Sequence, residues 1–208
     1  MLSAAEALHR LREGNRRFVS GERDHIEPES RERLAELAAG QEPYAIILGC
    51  SDSRVPAEII FDQGVGDLFV IRVAGNVVSP SQIGSVEFAA EQFGTRLVVI
   101  LGHSSCGAVI ATIEELQRPT ENRSPNLHSI VDCIRPSVEP LLKAGLDPDE
   151  LLKQAVRANI RTSTEGLQHG SALLETMIRE GSLTVVGAEY SLDTGIVEFY
   201  GDLPGRDE

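Results

Sequence analysis

The stretch "RLVVILGH", residues 96–103, is an uninterrupted apolar run that ends in glycine and histidine. Three other runs have the same continuous character: "YAIILGC" (44–50), "LFVIRVAG" (68–75) and "LTVVGAEY" (183–190). Strands that are apolar on both faces are typical of a parallel sheet covered by helices on both sides. A last run, "IVEFY" from Ile196, follows "LDTG" closely enough to pair with residues 183–190 as a hairpin. We therefore expect one antiparallel edge strand.

Helical patterns separate these runs. Ser3 and Glu6 have the spacing of a capping box, and a second helix is expected over residues 28–40. Later helix starts are indicated at Ser79 and Asp147, each of which is followed by proline. The alternation predicts an α/β fold with a central, mostly parallel sheet of four strands, an antiparallel edge strand and flanking helices.

The chain has 208 residues, a length that fits one domain. We expect a single domain over residues 1–208, with an N-terminal helical arm (1–40) and an α/β core (44–200).

Charge and composition exclude several classes of partner. The chain carries 32 acidic against 19 basic residues, a net charge of -13 that repels nucleic acid. No apolar run approaches the ~20 residues of a membrane span, and the N-terminus lacks the apolar block of a signal peptide. We therefore expect a cytoplasmic protein that binds neither nucleic acid nor membrane. In that reducing compartment, its three cysteines are expected to be free thiols or metal ligands.

The carboxyl ends of the strands carry the candidate metal ligands. Cys50 follows the first strand, while His103 and Cys106 lie at the end of the third, and ligands bind at this edge of an open parallel sheet. Thiolate and imidazole together favour zinc. Cys50 alone would more often be a buried structural cysteine. The presence of His103 and Cys106 at a second strand end favours a metal site instead. Cys133 is interpreted as a core residue, with a four-ligand structural site as the alternative.

Three protein ligands leave the fourth zinc position open for water, whose lowered pKa gives a hydroxide nucleophile near neutral pH. Arg54 is placed to hold the Asp52 carboxylate with both oxygens, which would orient Asp52 as acceptor for the proton of that water. The alternative is an exposed ion pair worth under ~1 kcal/mol. Gly107 is expected to begin a helix, and its backbone N–H would suit an anionic substrate. The alternative is that the turn simply requires glycine, and both can be true.

Two separated motifs, with two supporting stretches, resemble the β-class carbonic anhydrases. They are "CSDSRV" (50–55), "GHSSCGAV" (102–109), "FDQGVGDLFVIRVAGN" (61–76) and "GSVEFA" (84–89). The resemblance implies the reversible hydration of carbon dioxide to bicarbonate and a proton by zinc-bound hydroxide. It also implies homodimers or dimers of dimers in which the N-terminal helix packs on the neighbouring subunit.

The same resemblance implies roles for particular residues. One Zn²⁺ per subunit would be bound by Cys50, His103 and Cys106, and Asp52 would pair with Arg54 during catalysis. In some members the matching aspartate occupies the fourth zinc position in an inactive state, so Asp52 is also a conditional ligand.

One departure concerns regulation by bicarbonate. Members with this regulation use a Trp, Arg and Tyr triplet; Arg72 and Tyr190 match it, but Ile47 stands where the tryptophan would be. This form of regulation is therefore not carried over.

The residues leave two other functions open beside the hydration of carbon dioxide. One is a hydrolase acting on an analogue such as carbon disulfide with the same zinc hydroxide, and the other is a zinc-storing or regulatory binding module. The motifs alone do not separate the hydrolase from the hydration of carbon dioxide, because that difference lies in access to the pocket; the binding module would retain metal while every assay is indifferent to Asp52→Asn.

Overall fold

The computed structural model describes residues 2–24, 30–118 and 124–200. Within these residues, five strands form one sheet: β1 (Ala45–Gly49), β2 (Leu68–Arg72), β3 (Leu97–His103), β4 (Thr184–Tyr190) and β5 (Val197–Tyr200). Their order is β2-β1-β3-β4-β5. The first four strands run parallel, and β5 pairs antiparallel with β4. The expected architecture, four parallel strands with an antiparallel edge, is confirmed.

The described helices cover the sheet and occupy most of the chain between the strands. They are α1 (Ala4–Ser20), α2 (Arg31–Ala39), α3 (Ala57–Ile60), α4 (Pro80–Phe93), α5 (Gly107–Gln117), α6 (Pro125–Leu142), α7 (Pro148–Gln168) and α8 (Ala172–Arg179). A short 3₁₀ turn at Ala74–Asn76 follows β2.

Local capping signals set several helix starts. The capping box of Ser3 and Glu6 is formed, and the Asp147 side chain accepts a hydrogen bond from the backbone N–H of Glu150 at 3.1 Å. The second helix begins at Arg31, where the Ser30 hydroxyl caps it. The start expected at residue 28 lies outside the described residues.

Side chains of β1 and β3 alternate between two covered faces of the sheet. One face packs against α1 and α3 and includes Ala45, Ile47, Leu97, Val99 and Leu101. The opposite face packs against α4 and α8 and includes Ile46, Leu48, Val98 and Ile100. Every residue of β1 and β3 is buried. These strands read as continuous apolar runs because neither face meets water.

Helix α1 is covered by its own chain. Its apolar stripe, Ala7, Leu8 and Leu11, is buried against the sheet. The Arg17 guanidinium binds the fully buried carboxylate of Asp62 at 2.6 Å. Packing of α1 on a neighbouring subunit, which the resemblance implied, stays a prediction. None of the described helices combines the length and the apolar character needed to cross a membrane.

The close contact between α1 and the end of α3 depends on Gly14, which has no side chain. A Cβ at Gly14 would lie 1.8 Å from the carbonyl oxygen of Phe61, so Gly14→Ala must push the two helices apart. We expect Gly14→Ala to lower the free energy of unfolding by about 1–3 kcal/mol, measured by urea unfolding followed by circular dichroism.

Gly166→Ala is the matched control, because Gly166 also lies inside a helix but a Cβ there meets no atom within 4 Å. This substitution should raise stability by about 0.5–1 kcal/mol. If the two variants unfold at the same urea concentration, the close approach of α1 and α3 is wrong.

Candidate metal centre

The neighbouring strands β1 and β3 bring the expected metal ligands to one edge of the sheet. Gly49 pairs with Leu101, so Cys50, directly after β1, lies beside the end of β3, where His103 is the last residue. One ligand atom from each of Cys50, His103 and Cys106 lies within 4.8 Å of the others, and all three residues are buried. In the part of the chain that the structure describes, no other cluster of this kind is found.

The imidazole of His103 is oriented as a ligand. Its Nδ1 lies 2.9 Å from the carbonyl oxygen of Ser104, and since a carbonyl only accepts, Nδ1 carries the proton and donates it. Nε2 is then left with a free lone pair, and it is buried with no hydrogen-bond partner among the described residues. A buried acceptor without a partner is destabilising by roughly 1–3 kcal/mol. A metal ion beside the two thiols would satisfy it, so the residues fit zinc.

The two thiols are poised to ionise unequally. The hydrogen bond from Cys106 lowers the pKa of Cys50 against the opposing effect of burial, and Cys50 Sγ also accepts the backbone N–H of Gly75 at 3.4 Å. The pKa of Cys106 is raised because its thiol donates its proton to the hydrogen bond with Cys50 and because the thiol is buried. Tetrahedral zinc holds two sulfur ligands about 3.8 Å apart at bond lengths near 2.3 Å. Small movements within the 4.8 Å cluster reach that geometry.

Asp52 lies at the edge of this cluster and is held by Arg54. The guanidinium donates from Nε to Oδ1 at 2.9 Å and from Nη2 to Oδ2 at 2.8 Å, and the backbone N–H of Arg54 also donates to Oδ1 at 2.9 Å. These bonds hold the pKa of Asp52 well below its ordinary range. Oδ2 is 3.9 Å from Nε2 of His103, so this oxygen faces the metal cluster.

Arg72 supports the loop that carries these residues. Its side chain donates to the carbonyl oxygens of Cys50 at 3.1 Å and Asp52 at 2.6 Å. Sequence reasoning considered Arg72 only for the bicarbonate triplet and missed this role. The signal was its place at the carboxyl end of β2, next to Gly49 of β1.

The His103–Cys106 segment is tied to the β4–β5 hairpin. The backbone N–H of Ser104 donates to the carbonyl of Tyr190, and its hydroxyl accepts the backbone N–H of Leu192, both at 2.9 Å. The carbonyl of Ser104 is the one that orients His103. The hairpin therefore helps to fix the direction of the imidazole.

Gly107 is the first residue of α5, with Cys106 as the helix cap, as expected. A Cβ at Gly107 would meet no atom within 4 Å, and its φ lies outside the left-handed region. The alternative that the turn requires glycine is therefore wrong, since the backbone and the surrounding space both accept a side chain.

Cys133 lies apart from the metal ligands. It is half-buried in α6 and packs at the border of an apolar cluster that includes Val109, Ile134 and Val138. It does not belong to the group of possible ligands. The interpretation as a core residue is supported, and the four-ligand alternative is wrong.

Comparisons with known proteins agree with this geometry. A family model described as carbonic anhydrase matches residues 45–197, which include both ligand motifs. Carbonic anhydrase 2 of Mycobacterium tuberculosis is 41% identical over 185 residues, covering 89% of this chain and 87% of that protein.

Solved structures show the same fold. The β-carbonic anhydrase CcaA matches with a TM-score of 0.73 and 28% identity, covering 93% of this chain and 87% of its own. A β-carbonic anhydrase of Sordaria macrospora, described as tetrameric, matches with a TM-score of 0.70 and 26% identity over 81% of this chain and 86% of its own.

Proposed function

Because this chain belongs to the β class of carbonic anhydrases and catalyses the zinc-dependent, reversible hydration of carbon dioxide to bicarbonate, we propose that Cys50, His103 and Cys106 hold one zinc ion per subunit. The observation that carries this proposal is the buried Nε2 of His103, which has a free lone pair, lacks a hydrogen-bond partner in the described chain and lies beside two thiols. Bound zinc supplies a Lewis acid that lowers the pKa of water towards neutrality. Three protein donors would leave a bound zinc ion accessible to that water.

Asp52 has one acceptor position free for the reaction. Each carboxylate oxygen has two lone-pair sites. Oδ1 accepts from both Nε and the backbone N–H of Arg54, whereas Oδ2 accepts from Nη2 alone among the described residues. The remaining site is thus on Oδ2, the oxygen nearest His103. We propose that it accepts the hydrogen bond of the reacting water and so directs its O–H.

Arg54 has two effects on Asp52. Its guanidinium keeps the carboxylate ionised by lowering its pKa, so Asp52 orients the water and does not retain the proton. Its hydrogen bonds also fix the orientation of the carboxylate, with Oδ2 towards the metal cluster. Conditional binding of zinc by Asp52 stays a prediction.

Gly107 offers a backbone N–H at the first turn of α5. The N-terminus of a helix favours anions. We propose that this N–H binds the bicarbonate product.

The proposed partner is a second copy of this chain, in a homodimer or a dimer of dimers. The tetrameric β-carbonic anhydrases of Sordaria macrospora support an assembly of this kind. With a net charge of -13, nucleic acid is not a proposed partner. The proposed location is the cytoplasm.

A metal analysis combined with stopped-flow hydration of carbon dioxide tests this function. We expect close to one zinc per chain, and hydration that stops when a chelator removes the metal and returns when zinc is added. The assay should be run at near-neutral and at alkaline pH. A negligible rate at both, with zinc fully bound, would argue for a substrate other than carbon dioxide.

A further inference from the structure

The thiol of Cys50 accepts a hydrogen bond from the backbone of a glycine, a residue whose φ and ψ angles are little restricted. The donor is the N–H of Gly75, 3.4 Å from Sγ. Gly75 has a φ of 69°, in the left-handed region. Because glycine has no Cβ, its two neighbouring peptide groups turn easily relative to each other. Something other than the residue itself must therefore fix the direction of this N–H.

Packing restricts the Gly75 turn on one side. A Cβ at Gly75 would lie 2.7 Å from Cδ1 of Ile134 and 3.0 Å from Cβ of Ala108. Ala108 is the second residue of α5, next to Gly107, and Ile134 lies in α6. These contacts limit movement of the turn, but apolar contacts do not select the orientation of a peptide group.

Asn159 of α7 supplies the directional contact. Its Nδ2 donates to the carbonyl oxygen of Gly75 at 2.8 Å, and the Asn159 side chain is buried. With its carbonyl held by Asn159 and the turn confined by Ile134 and Ala108, Gly75 keeps its N–H directed at Cys50.

Asn159 makes this contact at a cost to stability. Its Oδ1 is buried and has no hydrogen-bond partner among the described residues. An unpaired buried acceptor is destabilising, and leucine would fill the same branched shape without a polar atom. Local penalties of this kind are expected at functional sites.

We propose that Asn159 is a positioning residue of the metal centre: it fixes the Gly75 turn so that the Gly75 N–H bonds the Cys50 thiolate. This inference rests on the proposed function, because it assumes that Cys50 is a metal ligand. A hydrogen bond to a thiolate withdraws electron density from the sulfur. Asn159 thereby tunes how strongly Cys50 donates to the metal without touching it.

The test uses cobalt(II) in place of zinc, because the thiolate-to-cobalt absorption band reports the donor strength of the sulfur. Asn159→Leu should shift this band to longer wavelength, since the thiolate loses its hydrogen bond. Residues that support metal ligands typically contribute about 10–100-fold to metal affinity. Competition with a chelator should show zinc binding weakened by about 10-fold, because the lost positioning of Cys50 outweighs the stronger donation of its sulfur.

Leu167→Ala is the matched control. Leu167 is also fully buried in α7 but lies eight residues beyond Asn159 and packs with Val86 and Ala89 of α4, away from the metal cluster. This variant should lower the melting temperature while leaving the cobalt band and the zinc affinity unchanged. Should Asn159→Leu fail to fold, Asn159→Ser, one bond too short to reach the Gly75 carbonyl, gives the same readings.

The outcomes separate this inference from the proposed function. If the unaltered protein shows the thiolate-to-cobalt band and the Asn159 variants leave it unmoved, the positioning role is overturned and the metal site stands. If the unaltered protein binds cobalt without that band, the metal site itself is wrong. An equal shift in Leu167→Ala would also overturn the inference, since it would assign the effect to general loosening of α7.

Discussion

Cys106→Ala is expected to abolish tight zinc binding and to reduce carbon dioxide hydration to the uncatalysed rate. The substitution leaves one thiol and one imidazole from the cluster of Cys50, His103 and Cys106. Loss of a residue that merely supports a ligand costs up to about 100-fold in metal affinity, so loss of a ligand should cost more. The measurements are zinc content after dialysis and stopped-flow hydration.

Cys133→Ala is the control for this prediction. It removes the same thiol from a half-buried position outside the metal cluster. Zinc content and hydration rate should match those of the unaltered protein. Full hydration activity in metal-free Cys106→Ala would contradict the proposed mechanism.

Asp52→Asn should lower kcat for hydration by roughly 10²–10⁴-fold, the usual contribution of a group that manages a proton. Asparagine has nearly the same shape, but it is uncharged and replaces one acceptor oxygen with a donor. The amide therefore cannot both accept the two hydrogen bonds of the Arg54 guanidinium and keep an acceptor site free for water. Zinc content should stay at its original level, because Asp52 binds Arg54 in this structure.

An exposed aspartate that also pairs with an arginine provides the comparison. Asp132 contacts Arg135 at 3.0 Å on the surface of α6, so Asp132→Asn should leave kcat unchanged. Equal rates for Asp52→Asn and the unaltered protein would show that the Asp52–Arg54 pair is only a surface ion pair. Loss of zinc from Asp52→Asn would instead indicate that Asp52 is a metal ligand.

The features that sequence predicted well depend on near neighbours in the chain. The cap at Asp147 needs only the backbone three residues later. The continuous apolar run of β3 indicates that both of its faces are buried, and the structure confirms this. The candidate metal ligands Cys50 and His103 were predicted to lie together because parallel strands end at the same edge of a sheet.

Contacts that depend on how distant segments pack were not predicted. The role of Arg72 follows from the register between β1 and β2, which places it beside Gly49. Asn159 is separated by 84 residues from the glycine that it holds. The position of Arg72 at a strand end was a signal, but no local pattern assigns the partner of either residue, because an arginine at a strand end and an asparagine in a helix are each compatible with many packings.

By itself, then, the sequence determined the α/β class and the parallel sheet and indicated the three candidate metal ligands, because periodicity, capping and strand ends are local properties of the chain. Only the tertiary structure decided which way Asp52 faces, which nitrogen of His103 is free and what aims the Gly75 N–H at Cys50. The physical reason is that hydrogen bonds are short and directional. Their partners are fixed only when helices and strands far apart in the chain have packed together.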